Sequence, residues 1–138
     1  MNLFRLPISL VKDIHCAYNR FWWGSSDMAK KDPWCSYERI CESKVQGGLG
    51  FRDIALFNQT MLAKHCWRIV TNPNSLVARV LKGRYFPTSS FLKDDIATKG
   101  SYVWRSLVWG RDLLFTGSRW RVGARSSLSI YSDWWLPK

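Results

Sequence analysis

The chain has 138 residues, 46% hydrophobic and 22% charged, so it is long enough for one modest domain or two small subdomains and too apolar to be disordered. Lysine and arginine number 21 against 10 acidic residues, a formal +11 that attracts polyanions, phosphate backbones first and anionic membrane surfaces second. No run reaches the ~18 consecutive apolar residues of a membrane span, and no short apolar core with a small-residue cleavage site marks a secretory signal.

Leu6 to Trp23 is predicted as the first helix. Pro7 suits a first helical turn, where its missing N–H costs nothing. Val11, Ile14, Tyr18 and Phe21/Trp22 recur at three- and four-residue steps on one face. This basic, amphipathic stretch has some likeness to a mitochondrial presequence. An ordinary domain helix fits better, because Trp22 and Trp23 carry the apolar face past any plausible cleavage point. A polar loop with Lys30 and Lys31 follows, then a short helix over about Ser36 to Cys41 with Ser36 as N-cap. Gly47, Gly48 and Gly50 demand a sharp turn, since glycine alone adopts positive φ freely. Such a turn could also bring backbone N–H groups to a phosphate, but no GKS or GKT follows, so a structural turn is expected.

Asp53 is the expected N-cap of a central helix, Ile54 to Val70, which Asn72-Pro73 stops. Phe57, Met61 and Cys66/Ile69/Val70 are expected to face inward, while Lys64 and Arg68, four apart, share a face. Ser75 to Tyr85 reads as the next helix, with Leu76, Val77, Val80 and Leu81 as its apolar stripe among Arg79, Lys82 and Arg84. Residues 86–100 form a loop and a soft boundary. Ser101 to Phe115 is the last helix, with Ser101 as N-cap and Gly110 as a cost in its middle. From Arg119 the period changes to two. Trp120 and Val122, then Leu128 and Ile130, alternate with polar neighbours across Gly123-Ala124-Arg125-Ser126, which predicts a β-hairpin. The fold class expected is therefore mainly α, about five helices with a C-terminal β-hairpin.

No catalytic constellation emerges. Cys16, Cys35, Cys41 and Cys66 contain no Cys-x2–4-Cys pair, and His15–Cys16 and His65–Cys66 are neighbours that diverge on a helix, so no metal site is expected. Asp94-Asp95 is the sole acidic pair. A carboxylate pair can hold a catalytic metal, but here it caps or solvates a loop. No G-x-S-x-G, HExxH or GxGxxG word is present, and no cofactor is implied. What remains is positive charge interleaved with aromatics, nine of them tryptophan. Lys30, Lys31, Arg52, Lys64, Arg68, Arg79, Lys82, Arg84, Arg105 and Arg111 are the candidate phosphate contacts. Exposed Trp or Tyr could stack on bases, although most of the aromatics are expected to be core.

Many separate words carry a resemblance over nearly the whole chain: FRLPISLVKDI, FWWG, GGLGFRD, FNQTMLAKHCWRI, SLVARVLKGRYFP, SYVWRSLVWGRDLL, RWRVG and the terminal Trp134-Trp135-Leu136-Pro137. In this order they resemble a segment of plant non-LTR (LINE-type) retrotransposon polyproteins, after the reverse transcriptase palm and before a zinc-binding module. They are also similar to short plant mitochondrial proteins related to such elements. The resemblance implies a helical, thumb-like region over residues 1–90. It implies a helix plus hairpin over 91–138, opening the linker to a zinc module that is not in the chain. It implies a non-catalytic part that grips an RNA–DNA template–primer, with the remainder of the reverse transcriptase as partner. The Asp-Asp metal box of the palm is absent, so no enzymatic activity is expected. The alternatives are an inert relic, a protein-interaction fragment, or an organelle splicing helper. Mitochondrion and nucleus are both compatible locations.

Overall fold

The computed structural model describes residues 3–24, 33–92 and 100–118. Its helices begin where side chains can satisfy their first free N–H groups. Ser36 accepts from the Arg39 N–H, Asp53 from those of Ala55 and Leu56, Ser75 from Ala78 and Ser101 from Trp104. Pro7, in extended geometry, precedes α1. The helices are α1 (Ile8–Trp22), α2 (Tyr37–Cys41), α3 (Ile54–Thr71), α4 (Leu76–Tyr85) and α5 (Tyr102–Gly117), with a single 3-10 turn over Lys44–Gln46.

The mainly helical class holds, and the β-hairpin is corrected. No strand occurs among the described residues. The positions on which the hairpin was expected, Arg119 to Ile130, lie outside them. Short alternating runs are a weak signal, and an isolated hairpin needs a sheet or an apolar surface to hold it. No sheet edge is present among the described residues to supply the first.

The fold is organised on α3 and α5, which pack along each other. Asn58, Leu62, Cys66 and Ile69 recur at four- and three-residue steps on the buried face of α3, with Ala63 beside them. Trp104, Leu107 and Arg111 do the same on α5. Between them sits Gly110. A Cβ there would lie 2.7 Å from the Leu62 Cβ and 2.9 Å from the Ala63 nitrogen, so the two helices touch backbone to backbone. The mid-helix glycine, a cost in propensity, is what permits this approach.

At one end of the pair Cys66, Ile69, Ala78, Phe86, Phe91, Trp104 and Leu107 form the apolar core. Trp104 is fully buried, with the Tyr85 ring parallel to it at 4.2 Å and the Phe91 ring edge-on at 6.0 Å. The core draws on both sides of residue 90. Burial holds the Cys66 thiol up at about 12, and its sulfur bonds the Leu107 carbonyl at 3.1 Å.

An extended N-terminal strap crosses the α3–α5 pair. Asn58 reads its backbone at two points, accepting from the Leu6 N–H and donating to the Phe4 carbonyl, both at 3.0 Å. From α5, Ser106 accepts the Arg5 N–H at 2.9 Å and the Tyr102 hydroxyl donates to the Arg5 carbonyl at 2.6 Å. Buried Asn58 and Ser106, with exposed Tyr102, thus satisfy the main chain of the strap.

The first helix packs on α2 and α3. Val11 is buried and Ile14 half-buried, but Tyr18, Phe21 and Trp22 of the expected apolar face are exposed. Tyr37 of α2 lies under the His15 ring at 4.3 Å and donates to the Arg52 carbonyl. Burial pushes its hydroxyl up to about 12.

Two departures in register stand out. On α3, Asn58 and Leu62 are buried where Phe57 and Met61 were expected, and those two are half-buried. On α4, Ala78 is buried and Leu81 and Tyr85 half-buried, while Leu76, Val77 and Val80 face solvent.

Opposite signs are expected for two glycine substitutions compared by urea denaturation. Gly83→Ala, in open space on α4, gains about 0.5–1 kcal/mol from helix propensity. Gly110→Ala loses about 1–3 kcal/mol, because the methyl meets α3 backbone. Thiol labelling at pH 8 is expected to modify exposed Cys16 in the native chain and Cys66 only after unfolding. Tyr37 and Cys66 both favour their neutral forms when folded. Their contribution is complete below the ordinary values and is lost as pH rises from about 9–10 through about 12, so the urea midpoint should fall across that window.

Candidate nucleic-acid interface

A run without acidic residues defines the candidate site. From Ile54 to Tyr85, the whole of α3 and α4, the chain carries five basic residues, Lys64, Arg68, Arg79, Lys82 and Arg84, and no aspartate or glutamate. All five are exposed. The inner face of α3 is committed to α5, so its charge can lie only outside. The turn from Asn72 to Ser75, closed by the Ser75 N–H on the Asn72 carbonyl at 3.1 Å, returns the chain as α4. There Ala78 packs into the core and leaves Arg79, Lys82 and Arg84 in water.

Among the described residues no carboxylate forms an ion pair with any of the five. The ion pair among the described residues is Arg39–Glu42 at 3.0 Å, on α2 and its exit. Arg84 rests 5.7 Å from the Tyr85 ring, which leaves its guanidinium edges open to an anion. Five exposed cations on two joined helices, none in an ion pair among the described residues, concentrate positive charge of the kind that attracts polyanions.

The other expected contacts are placed differently. Arg52 is exposed, just before α3, with its guanidinium 5.4 Å from the Phe57 ring. Arg105 is exposed on α5, 5.6 Å from the Tyr102 ring. Both retain open donors but stand outside the acid-free pair. Lys30 and Lys31 lie outside the described residues, as do Asp94 and Asp95. Arg111 is buried, donates to the Phe91 carbonyl at 3.3 Å and lies 5.0 Å from the Phe115 ring. Its charge is internal, so it offers no surface to a phosphate.

The glycine turn is structural. Gly47 and Gly50 have φ of +84° and +71°, and a side chain at Gly48 would overlap the Glu42 carbonyl. The N–H groups of Gly48, Leu49, Gly50 and Phe51 all point inward, to the carbonyls of Ser43, Ile40, Glu42 and Ile40. They are therefore not presented to a phosphate. Among the described residues no group of three His, Cys, Asp or Glu side chains could hold a metal ion. No helix among them is long and apolar enough to cross a membrane.

Two residues were missed from sequence. Arg5 is exposed and lies 4.6 Å over the Trp109 ring, a pairing set by the strap across α5. Trp67 is half exposed on the outer face of α3, three residues after Lys64 and next to Arg68. The three-residue spacing from Lys64 was a usable signal for it.

A basic helical chain with this acid-free face is thus what the fold and site define. It is 40% identical over 137 residues to the uncharacterized mitochondrial protein AtMg00310 of Arabidopsis thaliana, covering 99% of this chain and 89% of that protein. The chain belongs to the same family as that protein. It is also 30% identical over 139 residues to the putative ribonuclease H protein At1g65750 of Arabidopsis thaliana, and it spans 22% of the length of that relative. No family model and no solved structure matches it.

Charge at the surface and charge inside should separate in mutants. Lys64→Ala is expected to leave stability within about 0.5 kcal/mol. Arg111→Ala, which strips the buried Phe91 carbonyl of a donor, is expected to cost about 1–3 kcal/mol. Chemical denaturation of the two variants beside the parent chain checks both.

Proposed function

We propose that this chain is a non-catalytic nucleic-acid-binding unit descended from a plant LINE-type (non-LTR) retroelement polyprotein. In that lineage it corresponds to the segment between the reverse transcriptase palm and the zinc-binding module. The outer face of α3 and α4 holds the phosphate backbone of an RNA–DNA template–primer. The observation that carries this is the set of exposed cations Lys64, Arg68, Arg79, Lys82 and Arg84, none in an ion pair among the described residues, on helices without one carboxylate. The relationship to a much longer protein named as a putative ribonuclease H supports a polyprotein origin. The mitochondrial name of the shorter relative supports that compartment over the nucleus.

A second reading rests on the exposed apolar residues. Phe21 is 85% exposed, and Leu76, Val77 and Val80 are each more than half exposed. These surfaces suit contact with other protein, as expected if neighbouring domains of the ancestor once covered them. A relic with no retained binding is the limiting case.

Binding of the full chain to an RNA–DNA hybrid across a salt series discriminates the two. Each phosphate neutralised adds close to one unit of slope to log K against log salt, so five cations allow a slope of about −4. Lys64→Ala with Arg68→Ala should reduce that slope by about 2. A folded chain that fails to bind, or whose binding ignores both salt and these residues, contradicts phosphate contact. Circular dichroism establishes that the chain is folded.

A further inference from the structure

The tryptophans of this chain are not equivalent. Trp104 is sealed in the core against Tyr85. Trp109 carries Arg5 on its ring. Trp22 meets the Phe51 ring edge-on at 4.9 Å, and Trp23 and Trp34 lie parallel to each other at 6.2 Å. Trp67 differs from all of these. Among the described residues, no ring and no cation packs on its indole, and 51% of the residue is exposed. It is the described tryptophan left without such a partner, and it stands within the acid-free basic face.

Its setting says what would cover it. Lys64 lies one turn before it and Arg68 directly after it, both exposed. Thr60 and Thr71 share the outward side of the helix. Their hydroxyls bond the Leu56 and Trp67 carbonyls at 2.8 and 2.9 Å, so they fold back onto the helix. What faces solvent is an indole flanked by two cations. An apolar protein surface would have to desolvate both cations to reach that ring. A nucleotide meets both requirements together, with a base for the indole and phosphates for the cations.

We infer that Trp67 stacks on an unpaired base while Lys64 and Arg68 hold the adjoining phosphates. The α3–α4 face then recognises nucleic acid with a single-stranded portion, such as the template overhang beside a primer end. This deepens the phosphate-binding function proposed above and rests on it. A base inside a duplex is already stacked on its neighbours, so a blunt hybrid offers Trp67 nothing to cover except at its ends. The stacking is sequence-tolerant, because every base has a π face.

The test uses the full chain and two ligands, a blunt RNA–DNA hybrid and the same hybrid with a single-stranded template extension. Affinities are measured by fluorescence anisotropy for the parent chain, Trp67→Ala and Trp67→Phe, each shown to be folded by circular dichroism. Trp67→Ala is expected to weaken binding of the extended hybrid by about tenfold, the scale of one lost base–aromatic stack. It should change binding of the blunt hybrid less than twofold, and Trp67→Phe should retain most of the affinity for the extension. If both ligands bind with the steep salt dependence of phosphate contact and Trp67→Ala alters neither, stacking is refuted and phosphate contact stands. That pattern would return Trp67 to a protein-facing surface. If the folded parent chain binds neither ligand, phosphate contact fails and stacking fails with it.

Discussion

The approach of α5 to α3 at Gly110 is the constraint on which the rest of the structure depends. No side chain fits between this residue and the backbone of Leu62 and Ala63. The pair is therefore held by backbone contact at this point, with Asn58 and Cys66 buried on either side of it along α3. Cys66 belongs to the aromatic core around Trp104, and Asn58 to the polar clamp on the strap. A wider separation would loosen both at once. It would also release the inner face of α3, whose burial confines Lys64, Trp67 and Arg68 to the outside. The exposure of these basic residues is thus a consequence of the packing.

Polar groups divide along the same line. Inside, polar side chains bond the backbone: Asn58 and Ser106 at residues 4–6, the Cys66 thiol at Leu107, Arg111 at Phe91. The glycine turn likewise directs its N–H groups to carbonyls of α2 and the residues that follow it. Outside, the cations of α3 and α4 have no carboxylate among their neighbours in sequence. Interior polarity serves the fold, and the positive charge of α3 and α4 stays at the surface.

Much of this was legible in the sequence. Ser36, Asp53 and Ser101 announced their helices through the chemistry of capping, and Asn72-Pro73 announced the end of α3. The glycines after α2 read correctly as a turn, and the cations of α3 and α4 as surface. What was not legible depends on partners distant in sequence. Periodicity placed apolar Phe57 and Met61 inward, whereas Asn58 holds the more buried position because the strap backbone, more than fifty residues away, satisfies its amide. Gly110 read as a defect because propensity knows nothing of a second helix. Arg111 read as surface because a charge is rarely buried, and its burial follows from the Phe91 carbonyl and the Phe115 ring beside it. The α4 stripe misled because a small residue, Ala78, makes the core contact while larger neighbours face water.

The most direct test of the central claim is to map the interface by amide chemical shifts. The labelled full chain is titrated with an RNA–DNA hybrid at low salt. The outer-face amides of Lys64, Trp67 and Arg68 on α3, and of Arg79, Lys82 and Arg84 on α4, are expected to move. Those of the buried positions Leu62, Cys66 and Leu107 should stay in place. Shifts confined to α1 and α2, or no shifts from a folded chain, would contradict the assignment of this face to nucleic acid.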